Sequence, residues 1–284
     1  MNRIQFNNSR GEKLTGILNI PTKGRNMSAD IFPSKNGKGL HPTIILAHGF
    51  GYHMHENNDN DVPMFDEIAR ILCENGFVTL QFDFTGCDES EGDFSKTTLT
   101  THISDLNSAL EILKKLSFVD VKRIGIIGMS FGTAVTVAFM GRNRSADLFP
   151  SEVDHGIKAI VLLSSCKNPK EQIAKIFKDK GEFNPDGMSR LKHEDSKEVF
   201  MGPQFWKDFD NYKFPEIIKN IHVPLMMVHG EKDDLVGRKI DDYFDLANKP
   251  KELHIIKDTQ HGFEGKEAME EMLRFVLGWF KKWL

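Results

Sequence analysis

Apolar residues along the chain fall into short continuous runs separated by longer stretches with helical spacing. Two opening runs at 3–6 and 14–20 read as strands joined by the turn Ser9-Arg10-Gly11-Glu12. Beyond them, runs rich in β-branched and aliphatic residues occupy 43–47, 77–82, 123–127, 158–163, 224–228 and 252–256, and read as buried strands. Between them, 62–74, 99–116, 131–140 and 265–284 repeat apolar residues at helical spacing. Continuous apolar strands alternating with helices predict a mainly parallel sheet covered on both faces. The opening pair adds an antiparallel edge, giving about eight strands. Residues 21–42 are polar, with scattered Gly and Pro, and read as a long exposed loop.

One segment breaks the alternation. Residues 166–221 separate two sheet strands and are longer than a single crossover helix needs. They are dense in aromatics, among them Phe177, Phe183, Phe200, Phe205, Trp206, Phe209, Tyr212 and Phe214, and interrupted by Pro and Gly. The reading is an inserted cap subdomain at 166–221 over the carboxyl ends of the strands, with 1–165 and 222–284 forming one core domain. A pair of helices packed elsewhere on the sheet is the plainer alternative.

Composition narrows the function classes. The 284 residues are 39% hydrophobic and 27% charged, enough to build a core and still cover a surface. A net charge of −4, with no broad basic excess, argues against a nucleic-acid partner. The three cysteines, Cys73, Cys87 and Cys166, form neither a disulfide framework nor a CxxC pair, and suit a reducing compartment. Residues 1–10 lack an apolar signal core, and no apolar run approaches the ~20 residues of a membrane helix. A soluble, cytoplasmic protein is expected.

The chemistry is carried by Gly128-Met129-Ser130-Phe131-Gly132, a G-x-S-x-G run between a predicted strand and a predicted helix. In a nucleophile elbow the chain turns so sharply that side chains at the flanking positions would meet the neighbouring helix and strand, so Gly is used there. Ser130 then projects at a helix N-terminus, where backbone N–H groups and the helix dipole favour an oxyanion. A serine hydroxyl needs a base. Among eleven histidines, His261 follows the last predicted strand, at the sheet edge where ligand chemistry collects. His102, His193 and His254 fall on a helix, in the cap and inside a strand, and read as packed or surface residues. The acid should lie between serine and histidine in chain order. Gly230-Glu231-Lys232-Asp233-Asp234-Leu235-Val236 follows a strand and supplies Asp233, with Asp234 as its neighbouring alternative. Oxyanion donors are expected from the N–H groups of Phe131 and of Phe50 in His48-Gly49-Phe50-Gly51, where His48 braces the loop.

These four ordered motifs resemble the α/β-hydrolase superfamily, and are most similar to the small bacterial carboxylesterases that include cinnamoyl and feruloyl esterases. The stretch Asp83-Phe84-Thr85-Gly86-Cys87-Asp88-Glu89-Ser90-Glu91-Gly92 is similar to that group's D-F-x-G-x-G-x-S-x-G segment, with Asp88 in place of its second glycine. The resemblance implies an α/β-hydrolase fold, Asp233 as triad acid, Phe50 as oxyanion donor, and an inserted subdomain that shapes an acyl or aryl pocket. Phe205, Trp206 and Phe209 are its expected substrate-binding residues. Phe131 departs from the polar residue often found after the nucleophile.

The expected reaction is two-step acyl transfer on small acyl or aryl esters through Ser130, His261 and Asp233. A peptidase, acyl-peptide hydrolase or thioesterase would use the same triad, and a non-catalytic binding protein would retain it without need. No cofactor and no metal are expected. His48, His53, His55, Glu56, Asp59 and Asp61 match no ligand pattern of fixed geometry and read as a polar loop at the site's rim. Gly125-Ile126-Ile127-Gly128 lacks the spacing of a dinucleotide fingerprint. The expected partner is a small ester, with no nucleic acid and no membrane; homodimerisation is left open.

Overall fold

A computed structural model describes residues 2–21, 40–51, 53–56, 63–141, 156–192, 198–236 and 240–284. Most of the loop expected at 21–42, and His193, Asp59 and Asp61, lie outside the described residues.

In chain order the elements are β1 (Asn2–Asn7), β2 (Lys13–Asn19), β3 (His41–Ala47), α1 (Met64–Glu74), β4 (Val78–Phe82), α2 (Leu99–Lys114), β5 (Val119–Met129), α3 (Phe131–Met140) and β6 (Ile157–Leu163). Next come α4 (Pro169–Lys180), β7 (Gly181–Glu182), β8 (Ser189–Lys192), β9 (Glu198–Met201), α5 (Pro203–Asp208) and α6 (Phe214–Ile217). The chain then returns through β10 (Leu225–Gly230), α7 (Ile240–Leu246), β11 (Lys251–Ile256) and α8 (Lys266–Trp283).

Eight strands form one sheet in the order β1-β2-β4-β3-β5-β6-β10-β11. β1 and β2 pair antiparallel, β2 joins β4 antiparallel, and every pair from β4 to β11 is parallel. Strand alternation gives each central strand two buried faces. Ile45 and Ala47 of β3, with Ile124 and Ile126 of β5, face Leu106 and Leu110 of α2 and Val135 and Phe139 of α3. Ile44, Leu46, Ile127 and Met129 face Phe65 and Ile68 of α1 and Met272, Val276 and Phe280 of α8. Each such aliphatic side chain contributes about 2 kcal/mol by burial. The Thr98 hydroxyl accepts from Thr101 N–H at 3.1 Å and caps α2.

The N-terminal hairpin is pinned to α2 and to the loop after β4. Asp105, on α2 and fully buried, accepts from Arg10 Nη2 at 2.9 Å, Asn8 Nδ2 at 3.2 Å and Thr85 N–H at 3.0 Å. Arg10 and Asn8 also reach the Thr85 hydroxyl, so the turn at 8–12 and the loop after β4 form one polar knot.

The segment between β6 and β10 is not the plain helix pair weighed from sequence. It carries α4, α5, α6 and a small antiparallel sheet, β7-β8-β9, that the hydrophobic pattern did not announce. The short strands alternate weakly: Ser189 and Leu191 are buried, Arg190 and Lys192 exposed. Trp206 anchors the segment, with its ring against Phe177, Phe183 and Phe205 and its Nε1–H donating to Ser189 Oγ at 3.1 Å. Among the described residues no helix is long and apolar enough to cross a membrane.

Candidate active site

The elbow is built from backbone sterics. Ser130 sits between β5 and α3 at φ 51°, a left-handed conformation costly for a side-chain-bearing residue. A Cβ on Gly132 would stand 2.0 Å from Ala47 O and 2.8 Å from His48 O, and one on Gly128 would stand 2.5 Å from Gly132 O. Glycine lets α3 press directly on the end of β3. The first N–H groups of α3, Phe131 among them, have no intrahelical acceptor and converge beside Ser130. The turn is tied down by Ser130 N–H to Leu163 O at 2.9 Å and Thr133 N–H to Ser130 O at 3.0 Å.

Asp233 and His261 meet at the ends of the adjacent parallel strands β10 and β11. His261 Nδ1 donates to Asp233 Oδ2 at 2.9 Å. The other carboxylate oxygen accepts from Leu235 N–H and Val236 N–H, each at 3.1 Å. Burial works to raise the Asp233 carboxyl, but the His261 hydrogen bond and charge, the Val236 N–H and His229 together hold it below the usual carboxylate range. The acid stays ionised and fixes the imidazole with its proton on Nδ1, leaving Nε2 as acceptor. The Ser164 hydroxyl, from the end of β6, donates to His261 O at 2.7 Å and steadies the loop. Of the two neighbouring acids it is Asp233, and not Asp234, that pairs with His261. Ser130 Oγ and His261 are not hydrogen-bonded in this conformation. Such contacts often tighten only when substrate binds.

The loop after β3 is braced as expected. His48 is buried, its Nδ1–H donating to Gly49 O at 2.8 Å and its Nε2 accepting from Phe84 N–H at 3.1 Å. Burial pushes its pKa down to about 3, so the ring is neutral and serves no charge role. The Gly49 carbonyl and the Phe50 N–H belong to one trans peptide unit, so holding that carbonyl aims the N–H the opposite way.

An aromatic cluster closes over this loop. The Phe50 ring lies 5.7 Å from Phe131, 5.3 Å from Phe94, 5.8 Å from Phe177 and 5.5 Å from Phe205. Phe209 reaches Phe131 at 6.3 Å, and His102 packs on Phe131 at 5.2 Å. Of the residues expected to bind substrate, Phe205 lies against both Phe50 and Phe131, and Phe209 against Phe131. Trp206 instead points into the inserted segment's own core. A cleft of about 390 Å³ opens nearby, lined by Gly51, Gly86–Asp88, Asp93–Ser95, Met188 and 198–200. Ser130, Asp233 and His261 are not among its lining residues.

Two buried acids near this loop, Asp83 and Glu56, were given no role by sequence reasoning beyond a motif position and a polar rim. Asp83 ends β4, accepts from Met54 N–H at 2.6 Å and Glu89 N–H at 3.2 Å, and is pushed by burial to about 7. Glu56 is 4% exposed and accepts from Gly49 N–H. The only sequence signal was their place beside His48 and Phe84. Cys87 and Cys166 are pushed up by burial, Cys166 to about 12, and neither is a ready nucleophile.

The chain is similar to several known proteins. Esterase EstD of Thermotoga maritima is 23% identical over 215 residues, covering 72% of this chain and 49% of EstD, about half its length. The uncharacterized protein YfhR of Escherichia coli O157:H7 is 24% identical over 263 residues, covering 89% of this chain and 77% of that one. Among solved structures, Est1E of Butyrivibrio proteoclasticus with ferulic acid bound superposes with a TM-score of 0.73 at 21% identity, covering 99% of this chain and 98% of that chain. The likeness to Est1E shows a shared α/β-hydrolase fold. The family model of the prolyl oligopeptidases matches residues 63–284, from α1 through the elbow to α8, and the chain belongs to that family of α/β-hydrolase enzymes.

Proposed function

We propose that the protein is a serine carboxylesterase for small acyl or aryl esters, with Ser130 as nucleophile, His261 as base and Asp233 as the orienting acid. The observation that carries this reading is the 2.9 Å hydrogen bond from His261 Nδ1 to a buried, ionised Asp233, on strands two and three places from the elbow strand. An imidazole so held presents Nε2 as base at the carboxyl edge of the sheet.

In the first step His261 Nε2 takes the Ser130 proton as Oγ adds to the ester carbonyl. Phe50 and Phe131 N–H groups hold the resulting oxyanion. The tetrahedral adduct collapses, the C–O bond to the alcohol breaks, and His261 returns the proton to the leaving alkoxide. Water then repeats the sequence on the acyl-Ser130 ester, releasing the acid and restoring the hydroxyl. Residues 166–221 act as a cap, with Phe205 and Phe209 bounding an apolar acyl or aryl site. The contacts of these two rings with Phe131 support that assignment. EstD, described as an esterase, and Est1E, solved with ferulic acid bound, support it from outside.

The prolyl oligopeptidase match favours one second reading, amide cleavage by the same groups. Hydrolysis of p-nitrophenyl esters of increasing acyl length, an aryl ester and a panel of aminoacyl amides, by wild type and Ser130→Ala, separates them. Ester turnover lost in the variant upholds the esterase reading. Turnover of amides alone replaces it with the peptidase, and turnover unchanged in Ser130→Ala removes the serine mechanism.

A further inference from the structure

Gly49 is held from both sides. Its carbonyl accepts from His48, and its N–H donates to the Glu56 carboxyl. Where a Gly49 Cβ would sit, the two Glu56 oxygens lie at 3.1 and 3.3 Å and Ser130 Cβ at 3.5 Å, so the acid, the loop and the nucleophile share one small volume. A side chain at Gly49 would displace the acid. Glu56 itself is at φ 45°, its own N–H donating to His53 O at 2.9 Å and its carbonyl accepting from Met64 N–H at 3.2 Å. A strained residue tied at both backbone groups delivers its side chain to a fixed point. Gly49 N–H is the single donor to its carboxyl, and no ion pair reaches it among the described residues.

We propose that Glu56 is a positioning residue of the oxyanion hole, clamping Gly49 so that the Phe50 N–H stays aimed at the carbonyl oxygen. This rests on the serine-hydrolase reading above. A clamp of this kind costs nothing at the moment of reaction, because the donor is already oriented. The protonation state matters because an ionised carboxylate beside Ser130 would oppose the negative charge that develops on the substrate oxygen. Burial without a cation pushes Glu56 up to about 8. Among the described residues, only the Gly49 N–H hydrogen bond works against this. His48 on the end of β3 is neutral, and His55 on its own loop is engaged by Asp66 of α1. His53 follows on the same loop, while Asp83 at the end of β4 and Cys87 beyond it add no positive charge.

The test compares wild type, Glu56→Gln, Glu56→Ala and Ser130→Ala in p-nitrophenyl butyrate hydrolysis from pH 6 to 10. The rate of covalent labelling by a fluorophosphonate, whose phosphoryl oxygen uses the same hole, is measured beside it. Glu56→Gln keeps an oxygen for Gly49 N–H and cannot ionise. Wild-type kcat should fall as pH rises through about 8, and Glu56→Gln should hold its kcat across that range. Glu56→Ala should lose roughly 10- to 100-fold in kcat and in labelling rate at pH 7, with KM within threefold, less than the loss of a whole oxyanion donor. The same alkaline fall in Glu56→Gln would overturn the charge role. Glu56→Ala within twofold of wild type in kcat and labelling would overturn the clamp, and a KM effect alone would mark a merely structural residue. Labelling without ester turnover refutes the esterase reading and leaves the labelling rates to judge Glu56. Neither labelling nor turnover by folded wild type removes the serine reading and the Glu56 role together.

Discussion

The contact between α3 and the end of β3 bears on both the fold's stability and the geometry of the proposed oxyanion hole, and Gly132→Ala tests it. The added methyl would stand 2.0 Å from Ala47 O, 2.7 Å from Ala47 C and 2.8 Å from His48 O. Carbon and oxygen normally keep about 3.3 Å or more apart, so backbone must move by more than an ångström, and no side chain is available to swing aside. Forcing the methyl in costs about 1–3 kcal/mol in repacking, and several kcal/mol where bond angles must open. Against this, alanine gains about 1 kcal/mol over glycine as a helix former. The net expectation is a loss of roughly 3 kcal/mol, read as a lower urea midpoint at constant m. The carbonyls that must yield belong to the residues just before Gly49, so the loop shifts with them. An ångström of misplacement costs on the order of 10²-fold in kcat. Gly278→Ala is the control. It lies on the exposed side of α8 with nothing within 4 Å of the added methyl. It should stabilise by about 0.5–1 kcal/mol and leave kcat alone. A Gly132→Ala protein as stable and active as wild type would refute the close approach.

Asp233→Asn should leave the fold intact and lower kcat by about 10³- to 10⁴-fold, since an amide does not enforce the Nδ1–H tautomer; a loss below tenfold removes Asp233 from the triad. Glu56→Gln should also report on stability. An acid raised from 4.5 to about 8 destabilises the fold progressively as pH climbs between those values, because the unfolded chain ionises first. The variant should therefore gain on wild type by about 4–5 kcal/mol between pH 4 and pH 8.5, by urea unfolding, and an equal difference at both pH values counts against it. Arg10→Ala removes a cation from fully buried Asp105 and should cost up to about 3 kcal/mol without touching kcat in a folded sample. Phe205→Ala should cost about 3–5 kcal/mol and shift the ester profile toward longer or bulkier acyl groups; an unchanged profile would place the acyl site elsewhere.

How much of this was legible in sequence depended on how locally each feature is encoded. The strands were legible because burial on both faces leaves no polar position inside them: 43–47 and 158–163 are near-continuous apolar runs. The elbow was legible because its sterics demand glycine at fixed offsets from one serine. Asp233 and His261 were legible because the chain order of the three elements and the strand ends agree. The small β7-β8-β9 sheet was not, since strands of two to four residues with one buried face of Ser189 and Leu191 carry almost no periodic signal. Nor was the knot of Asn8, Arg10, Thr85 and Asp105, whose members are up to 97 residues apart and individually ordinary. Glu56 read as one more polar residue in a His- and Asp-rich loop. Its burial follows from φ 45° and the pairing of its carbonyl with Met64, which composition does not reveal.

The packing above the nucleophile bears on where an acyl group goes. Two regions adjoin the loop after β3, and they differ in chemistry. One is the aromatic cluster of Phe50, Phe131, Phe205 and Phe209, in which every ring is at most 9% exposed. The other is the cleft beyond Gly51, with Asp88, Asp93 and Glu198 on its walls. An uncharged acyl or aryl chain would lose little in the first and would leave acidic groups partly dehydrated in the second. The first also lies against Phe131, whose N–H is the proposed donor, so a carbonyl placed there is already near the hole. Its rings, however, fill the space they enclose. Substrate entry on this reading therefore requires Phe205 and Phe209 to move with α5 and the segment that follows it. Those two rings are carried by residues 203–211, a short helical stretch of nine residues held to α2 through Asp208, which accepts from Thr100 N–H at 2.8 Å and from its hydroxyl at 2.9 Å. Gln204 Nε2 donating to Ser95 O at 2.7 Å and Trp206 Nε1 donating to Ser189 Oγ at 3.1 Å tie the same stretch nearer its start, so the proposed opening has to break contacts along its whole length.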